Sequence, residues 1–161
     1  MLTRRAFCLS LPVLAACARE APPTVTRDAI PLYPNETPEL RALINRYAAI
    51  HDIPVTLLHR VIIRESTHNP AAGNGPYWGL MQILPETART MGFRGRPSDL
   101  LDAETNLLYA GRYLRGAWLV ADGDEVEAVG WYARGYYYEA RNRCMLVETG
   151  LRDSEVRSVC G

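Results

Sequence analysis

The sequence contains no lysine, and its charges cancel. All 18 basic residues are arginine, 18 residues are acidic, and the formal net charge is zero. We interpret the arginine usage as a feature of genome composition. A neutral chain without a basic patch interleaved with aromatic residues excludes nucleic acid as an expected partner. Alternating strand patterns are almost absent and no internal repeat is visible, which argues against sheet-based and repeat architectures.

Patterns that bind metals are also scarce. The chain has three histidines and only one Glu-x-x-His pair, formed by Glu65 and His68. Carboxylate-bridged metal bundles use two such pairs. We therefore predict no metal site and no cofactor, and we interpret His51 and His59 as surface or packing residues.

The N-terminal residues are typical of an export signal. Residues 3–7, Thr-Arg-Arg-Ala-Phe, resemble a twin-arginine signal, and the apolar run at residues 6–16 is too short to span a bilayer. The run leads into Leu-Ala-Ala-Cys at residues 14–17, which resembles a lipoprotein box. We predict a signal peptide over residues 1–16 and a lipid anchor on Cys17. The alternative is an ordinary signal peptide cleaved at the same place, with Cys17 incidental.

Residues 17–36 are polar and rich in proline, and they show no helical or strand period. This composition is typical of a tether. Extended at about 3.1 Å per residue, the segment would reach roughly 60 Å and let a membrane-anchored domain contact a wall layer. Alanine rather than aspartate at position 18 suits sorting to the outer membrane. We therefore expect an outer-membrane lipoprotein on the periplasmic side of the envelope, with its folded domain at residues 37–161.

The four cysteines agree with an exported chain. Cys8 would leave with the signal peptide and Cys17 would carry lipid. Cys144 and Cys160 then remain as an even pair in an oxidising compartment. We predict a disulfide between them, and the chain-entropy model assigns a loop of that size roughly 3 kcal/mol of stabilisation. The alternative is a pair of buried free thiols.

Most of residues 37–161 is predicted to be helical. Helix starts are indicated by a capping side chain or by proline at the first helical position. Such starts occur at Thr37, Pro54, Pro85, Asp102 and Asp124. A small β hairpin is expected in residues 71–78, and at least one of the three tyrosines at residues 136–138 is expected in the core. The predicted fold class is mainly α, with at most that hairpin as strand structure.

One carboxylate lies on an apolar helix face. Leu58, Val61 and Ile62 recur at helical spacing, and Glu65 follows on the same stripe near the helix end. Burial disfavours a charged carboxylate, and so does the macrodipole at a helix C-terminus. Both effects raise the pKa of Glu65, as a general acid requires. The alternative is a glutamate at the helix edge whose carboxylate reaches solvent.

Three short motifs follow one another along the chain. Residues 65–70 read Glu-Ser-Thr-His-Asn-Pro, residues 79–82 read Gly-Leu-Met-Gln, and residues 131–135 read Trp-Tyr-Ala-Arg-Gly. They resemble the Glu-Ser-x-Phe-x-Pro, Gly-Leu-Met-Gln and Ala-Tyr-Asn-Ala-Gly pattern of the soluble lytic transglycosylase (SLT) domain, which is related to goose-type lysozyme. The resemblance runs from about residue 40 to residue 135. It implies a lysozyme-like single domain.

The chain departs from the family pattern at three places. His68 replaces the usual aromatic residue, which indicates a packing change. Ala133 stands where the family has an asparagine that contacts the sugar, so one substrate contact is missing. Beyond Gly135 the chain leaves the pattern, and we expect a divergent C-terminal tail there.

The resemblance implies a peptidoglycan lytic transglycosylase that works with one carboxylate. Glu65 would protonate the glycosidic oxygen between N-acetylmuramic acid and N-acetylglucosamine. It would then take the proton of the muramic C6 hydroxyl, which closes a 1,6-anhydro ring. The resemblance also implies substrate-binding or orienting roles for Ser66, Met81, Gln82 and Tyr132. Met81 and Tyr132 have a second interpretation as core residues.

Two alternative functions stay open at this point. Water could replace the C6 hydroxyl, which would make the protein a lysozyme-type hydrolase of the same bond. With Ala133 in place of the asparagine, the protein could instead be a non-catalytic peptidoglycan-binding envelope lipoprotein. The expected partner in each case is the glycan strand of peptidoglycan, together with a membrane reached through the lipid anchor.

Overall fold

The computed structural model describes residues 31–161, and the folded unit extends from Leu32 to Gly161. Its helices are α1 Pro38–Ile50, α2 Val55–Ser66, α3 Pro85–Thr90, α4 Ala103–Val120, α5 Glu125–Arg134, α6 Tyr137–Asn142 and α7 Arg157–Cys160. A 3-10 helix spans Pro97–Leu101, and the strands β1 Gly73–Asn74 and β2 Tyr77–Trp78 form an antiparallel hairpin. The mainly α fold class and the hairpin are confirmed. The predicted signal peptide, Cys17 and the tether up to residue 30 lie outside the described residues.

Capping side chains begin the helices where the sequence predicts. The Thr37 hydroxyl oxygen accepts a hydrogen bond from the backbone N–H of Leu40 at 3.2 Å, before α1. Asp102 Oδ1 accepts from the N–H of Thr105 at 2.8 Å before α4. Asp124 accepts from two backbone N–H groups before α5. These bonds satisfy donors that a helix leaves unpaired in its first turn.

Helix α4 is the centre of the core. It packs against α1, α3, α5 and the 3-10 helix, and α2 packs against α1 and α5. Gly116 of α4 lets Tyr136 approach closely, since a Cβ there would collide with the tyrosine hydroxyl. Tyr136 is fully buried, and its hydroxyl donates to the carbonyl of Tyr113 at 2.8 Å. The prediction that one of the three tyrosines lies in the core is confirmed.

Residues 33–36, which the sequence analysis assigns to the tether, pack on the folded unit. The Tyr33 ring stacks on the His68 ring, with centroids 4.9 Å apart and planes 9° apart. Asn35 Nδ2 donates to the carbonyl of Thr67 at 3.0 Å. The folded unit therefore begins earlier than the expected boundary at residue 37, because these side chains find partners in the loop after α2.

A buried polar cluster lies beneath this segment. Arg41 donates to both carboxylate oxygens of Glu36, at 2.6 and 2.5 Å. His59 Nδ1 lies 3.0 Å from His68 Nε2, and His59 Nε2 lies 4.0 Å from Glu36 Oε1. Burial acts to raise the pKa of Glu36, but hydrogen bonds from Arg41 and the Tyr33 N–H hold it below its ordinary value. Burial lowers the pKa of His59 to about 4 and also lowers that of His68.

Stability is expected to fall as the pH drops from about 6.5 to about 4. Folded His59 has a pKa of about 4, whereas an exposed histidine titrates near pH 6.5. Between these values the unfolded chain binds a proton that the folded chain does not, so acidification favours unfolding. Above about pH 6.5 the residue is neutral in both states, and its full contribution to stability is present.

Thermal melting between about pH 7.5 and about pH 4.5 measures this effect. The double variant His59→Phe, His68→Phe should lose less of its melting temperature over that range than the unsubstituted chain. An equal loss in both proteins would show that other groups control the acid sensitivity.

The C-terminal tail is closed by the predicted disulfide between Cys144 and Cys160. Leu146 is fully buried and anchors the beginning of the tail in the core. Within the described range, no helix combines the length and the apolar character needed to cross a membrane.

Candidate active site

Glu65 lies in the last turn of α2 and borders a cavity of about 340 Å³. Its side chain keeps 23% of its exposure, since the carboxyl reaches the cavity while the apolar face of α2 packs into the core. Burial raises the pKa of the Glu65 carboxyl, and the charge of Arg64 partly offsets this. Arg64 Nε lies 3.5 Å from Glu65 Oε1. The predicted direction of the pKa shift is confirmed: the protein favours the protonated form of Glu65 more than water does.

Three elements besides α2 supply the wall of this cavity: the β hairpin, the turn after it and α5. Their lining side chains are Asn74, Tyr77, Gln82, Tyr132 and Ala133. A neighbouring cavity of about 250 Å³ shares four of them, namely Tyr77, Gln82, Tyr132 and Ala133. The two cavities therefore adjoin along these residues, and we call them together the Glu65 groove.

The turn at residues 79–82 is held in place by Asn106, a fully buried residue of α4. Asn106 Oδ1 accepts from the N–H of Met81 at 3.0 Å, and Nδ2 donates to the carbonyls of Trp78 and Leu100, at 2.9 Å each. Gly79 has a φ of +73°, and a Cβ there would collide with the Leu100 carbonyl oxygen and the Asn106 side chain. The glycine and the asparagine thus fix the turn together, and only a residue without a side chain fits the first position.

Two hydroxyl groups connect this turn to the helices beside it. Tyr132 of α5 donates to the carbonyl of Met81 at 2.8 Å, and Ser66 of α2 donates to the carbonyl of Leu80 at 2.7 Å. Burial, and after it the charge of Glu65, raises the pKa of Tyr132 well above its ordinary value, so the hydroxyl keeps its proton. Tyr132 lines the groove as expected. Ser66 does not line the groove, and its hydroxyl helps to fix the turn at residues 79–82, in agreement with the orienting role that the resemblance implies.

Met81 and Gln82 face opposite sides of the turn. Met81 is fully buried and does not line the groove, so its expected role in substrate binding is corrected to a core role. Gln82, with a φ of +46°, lines both cavities. Its Nε2 donates to the carbonyls of Gly79 and Ala72, at 2.8 and 3.1 Å. A ligand in the groove would therefore meet the amide oxygen of Gln82.

Several groove or support residues were not identified from the sequence, among them Tyr77, Asn74 and Asn106. Tyr77 and Asn74 come from the predicted hairpin, but a short hairpin does not indicate which of its side chains face a cavity. Asn106 did carry a signal, since an asparagine beside Leu107 on an apolar helix face needs buried hydrogen-bond partners. Those partners lie up to 28 residues away in sequence, and only the fold identifies them.

One group of potential metal ligands exists among the described residues, formed by Glu36, His59 and His68. One ligand atom from each lies within 4.8 Å of the others. Arg41 already occupies both oxygens of Glu36, so a cation there would compete with a guanidinium and be repelled by it. His68 Nδ1 is buried without a partner, which fits a lone pair on Nδ1 and the proton on Nε2, facing His59. None of these side chains lines the Glu65 groove.

Comparison with known proteins gives one finding. A family model described as the transglycosylase SLT domain matches residues 42–143, more than half of the chain. A search of the curated proteins and a search of the solved structures each found no match. The matched range includes Glu65, the turn at residues 79–82 and Tyr132. It ends immediately before Cys144, so the disulfide-closed tail lies outside it.

Proposed function

The chain belongs to the transglycosylase SLT family, and from this membership we propose that it cleaves the β-1,4 bond between N-acetylmuramic acid and N-acetylglucosamine in peptidoglycan. The family's activity is peptidoglycan lytic transglycosylation in the periplasm or cell envelope. For this chain we propose the lyase outcome, in which the muramic end leaves as a 1,6-anhydro sugar.

The observation that carries the proposal is the single carboxyl of Glu65 in the groove. Glycosidases that use two carboxylates need a second acidic group across the scissile bond. Among the residues lining the two cavities of the groove, Glu65 is the one acidic side chain. Its raised pKa and its partial burial suit a group that first donates a proton and then accepts one.

The first step is proton donation. Protonated Glu65 gives its proton to the glycosidic oxygen as the bond from that oxygen to the anomeric carbon breaks. Positive charge develops on the sugar ring, and the substrate's own N-acetyl group stabilises it. Tyr132 remains protonated beside the acid, so it acts as a neutral hydrogen-bonding neighbour and adds no negative charge.

The second step returns the proton. Glu65, now a carboxylate, removes the proton of the muramic C6 hydroxyl while that oxygen bonds to the anomeric carbon. The anhydro ring closes, Glu65 is again protonated, and no water is consumed. Gln82 and Tyr132 line the cavity together with Glu65, and we propose that they hold the sugar for both steps.

A non-catalytic binding function is the second candidate, because Ala133 lines the groove where the family has its sugar-contacting asparagine. The missing amide removes one hydrogen bond from the substrate. A hydrolase remains a third outcome, if water reaches the anomeric carbon before the C6 hydroxyl.

Digestion of purified sacculi separates these outcomes. We expect the purified protein to release 1,6-anhydromuropeptides, detected by mass spectrometry. Products with reducing muramic ends would identify a hydrolase. Sedimentation of the protein with sacculi without any release would identify a binding protein. A protein that neither releases muropeptides nor binds sacculi would contradict the proposal.

We also propose that the chain is a lipoprotein acylated on Cys17 and retained at the outer membrane, with the domain on the periplasmic side. The support is the Leu-Ala-Ala-Cys sequence at residues 14–17. Metabolic labelling with a clickable fatty acid tests it. The full-length chain should incorporate label and Cys17→Ser should not, and label retained by Cys17→Ser would contradict acylation at that residue.

A further inference from the structure

The acid of the Glu65 groove has a charged neighbour whose part in the reaction is still unassigned. Arg64 lines the same cavity as Glu65, and its Nε lies 3.5 Å from Glu65 Oε1. We propose that Arg64 is a positioning residue of the cleavage reaction, which keeps the proton of Glu65 on one carboxyl oxygen and pairs with the carboxylate that exists between the two proton transfers. This inference rests on the proposed function, because it concerns that same reaction.

The contact between Arg64 and Glu65 is not one that a helix imposes. Consecutive residues of an α-helix point in directions about 100° apart, so neighbours at i and i+1 do not normally face each other. Both residues lie in the last turn of α2, and the arginine side chain extends to the cavity that Glu65 borders. Among the ion pairs of the described residues, Arg64 forms only the one with Glu65. The pair therefore belongs to the groove and not to the packing of α2.

A second arginine at the groove is held by other partners. Arg134 of α5 lines the adjoining cavity, but its guanidinium lies 3.8 Å from the centre of the Trp131 ring. Its Nη2 lies 3.4 Å from Glu127 Oε2. Arg134 is thus turned toward its own helix, and the arginine that contacts the acid is Arg64.

No other charged group in the lining of this cavity can take the place of Arg64. The titratable or charged side chains that line it with Glu65 are Arg64 from α2, Tyr77 from the hairpin and Tyr132 from α5. Tyr132 keeps its proton, because burial raises its pKa well above the ordinary value. The remaining lining residues, Asn74, Gln82 and Ala133, carry no charge. Arg64 is therefore the one cation in the lining of this cavity.

A guanidinium beside one carboxyl oxygen determines where the proton of Glu65 resides. Arginine donates hydrogen bonds and accepts none, so it disfavours a proton on the neighbouring Oε1. The proton then resides on Oε2, which is the oxygen left to donate to the glycosidic bond. Once Glu65 has lost this proton, its negative charge is stabilised by the positive charge of Arg64. Arg64 makes Glu65 a stronger acid and itself neither gains nor loses a proton.

The pair should strengthen when a glycan strand covers the groove. The Arg64 side chain keeps 52% of its exposure, so water and salt weaken the pair in the free protein. A bound strand excludes part of that water, and charges attract more strongly where less water surrounds them. The arginine is therefore expected to act more on the pH dependence of kcat, which reports the bound state, than on that of kcat/KM.

The first test compares Arg64→Gln with the unsubstituted chain on soluble glycan strands. Without the positive charge Glu65 is a weaker acid, so kcat at about pH 5 should fall about fivefold. Glu65 also stays protonated to higher pH, so the ratio of kcat at about pH 8 to kcat at about pH 5 should rise about threefold or more. Arg64→Lys, which keeps the charge, should restore most of both values.

Arg60→Gln is the matched control for this test. Arg60 lies on the same helix and is 51% exposed, but it pairs with Glu125 and does not line the groove. This variant removes the same charge and should keep both the rate and its pH dependence. An equal fall of kcat at both pH values in Arg64→Gln would indicate a merely structural residue and would overturn the proposal.

A second measurement does not depend on turnover. Carbon-13 NMR follows the titration of the Glu65 carboxyl, whose signal is assigned by its absence from Glu65→Gln. The titration midpoint should lie at higher pH in Arg64→Gln, and this difference should shrink in about 1 M salt. Equal midpoints in Arg64→Gln and the unsubstituted chain overturn the inference, whether or not the protein is an enzyme. A raised midpoint in a protein that releases no muropeptides would instead contradict the proposed function and leave the Arg64–Glu65 pair supported.

Discussion

Replacement of Glu65 by glutamine is expected to lower the release of anhydromuropeptides about 10³-fold. Glutamine has almost the same shape but can neither donate the proton that frees the leaving oxygen nor accept the proton of the C6 hydroxyl. Within the lining of the Glu65 groove, no other acidic side chain can replace it. The measurement is the initial rate of release from sacculi, followed by chromatography and mass spectrometry.

The same variant should fold normally. Burial raises the pKa of Glu65, which means that the folded protein disfavours the charged carboxylate. A neutral amide removes that penalty, so Glu65→Gln should melt at the same temperature as the unsubstituted chain at neutral pH, or slightly above it. Glu148→Gln, at an exposed position in the tail, is the matched control and should keep full activity. Activity of Glu65→Gln within tenfold of the unsubstituted chain would show that the acid lies elsewhere.

Replacement of Asn106 by alanine is expected to cost about 3–5 kcal/mol of folding stability. The substitution leaves the N–H of Met81 and the carbonyl of Leu100 without their partner, and each buried unsatisfied group costs about 1–3 kcal/mol. It also removes one of two hydrogen bonds to the Trp78 carbonyl, which still accepts from the Ile83 N–H. At about 2–4 °C per kcal/mol for a domain of this size, the melting temperature should fall by about 10 °C. Calorimetry or thermal denaturation followed by circular dichroism measures the change.

Asn106→Asp distinguishes hydrogen bonding from side-chain volume. Aspartate fills the same space and can still accept from the Met81 N–H, but it places an oxygen against the two carbonyls that Nδ2 now serves. It should therefore be destabilised to a similar degree as the alanine variant. The exposed Asn142→Ala, at the end of α6, should change stability by less than about 0.5 kcal/mol. If Asn106→Asp melted at the same temperature as the unsubstituted chain, hydrogen bonds from Asn106 would not be what fixes the turn at residues 79–82.

Local chemistry in the sequence was enough to predict the helices and the acid. Capping at Thr37, Asp102 and Asp124 depends on residues within three positions, so those starts are visible without a fold. The raised pKa of Glu65 follows from its place on an apolar stripe at a helix end, which is also local information. The disulfide followed from counting the cysteines left after export.

Long-range contacts limited the prediction of the site. Met81 was expected in the groove and lies in the core, because the register of the turn depends on Asn106, 25 positions away. Ser66 was expected to orient the site or bind substrate, but its partner, the Leu80 carbonyl, lies 14 positions away and could not be named from the sequence. The packing of Tyr33 on His68 likewise joins residues that no local pattern connects. In each case the side chain contacts a residue that is distant in the sequence and comes close only in the folded protein.

The attachment of residues 33–36 decides where mechanical load would enter this protein. Tension on the chain ahead of residue 31 would arrive at Tyr33 and Asn35, and from there at His68 and Thr67, the residues just past the acid's helix. The turn at residues 79–82, which Asn106 of α4 holds, takes no part in the contacts of Tyr33 and Asn35 with His68 and Thr67. Glu36 in the same segment is also held by Arg41 of α1, so a load on the N-terminus would be shared between α1 and the end of α2 that carries the acid.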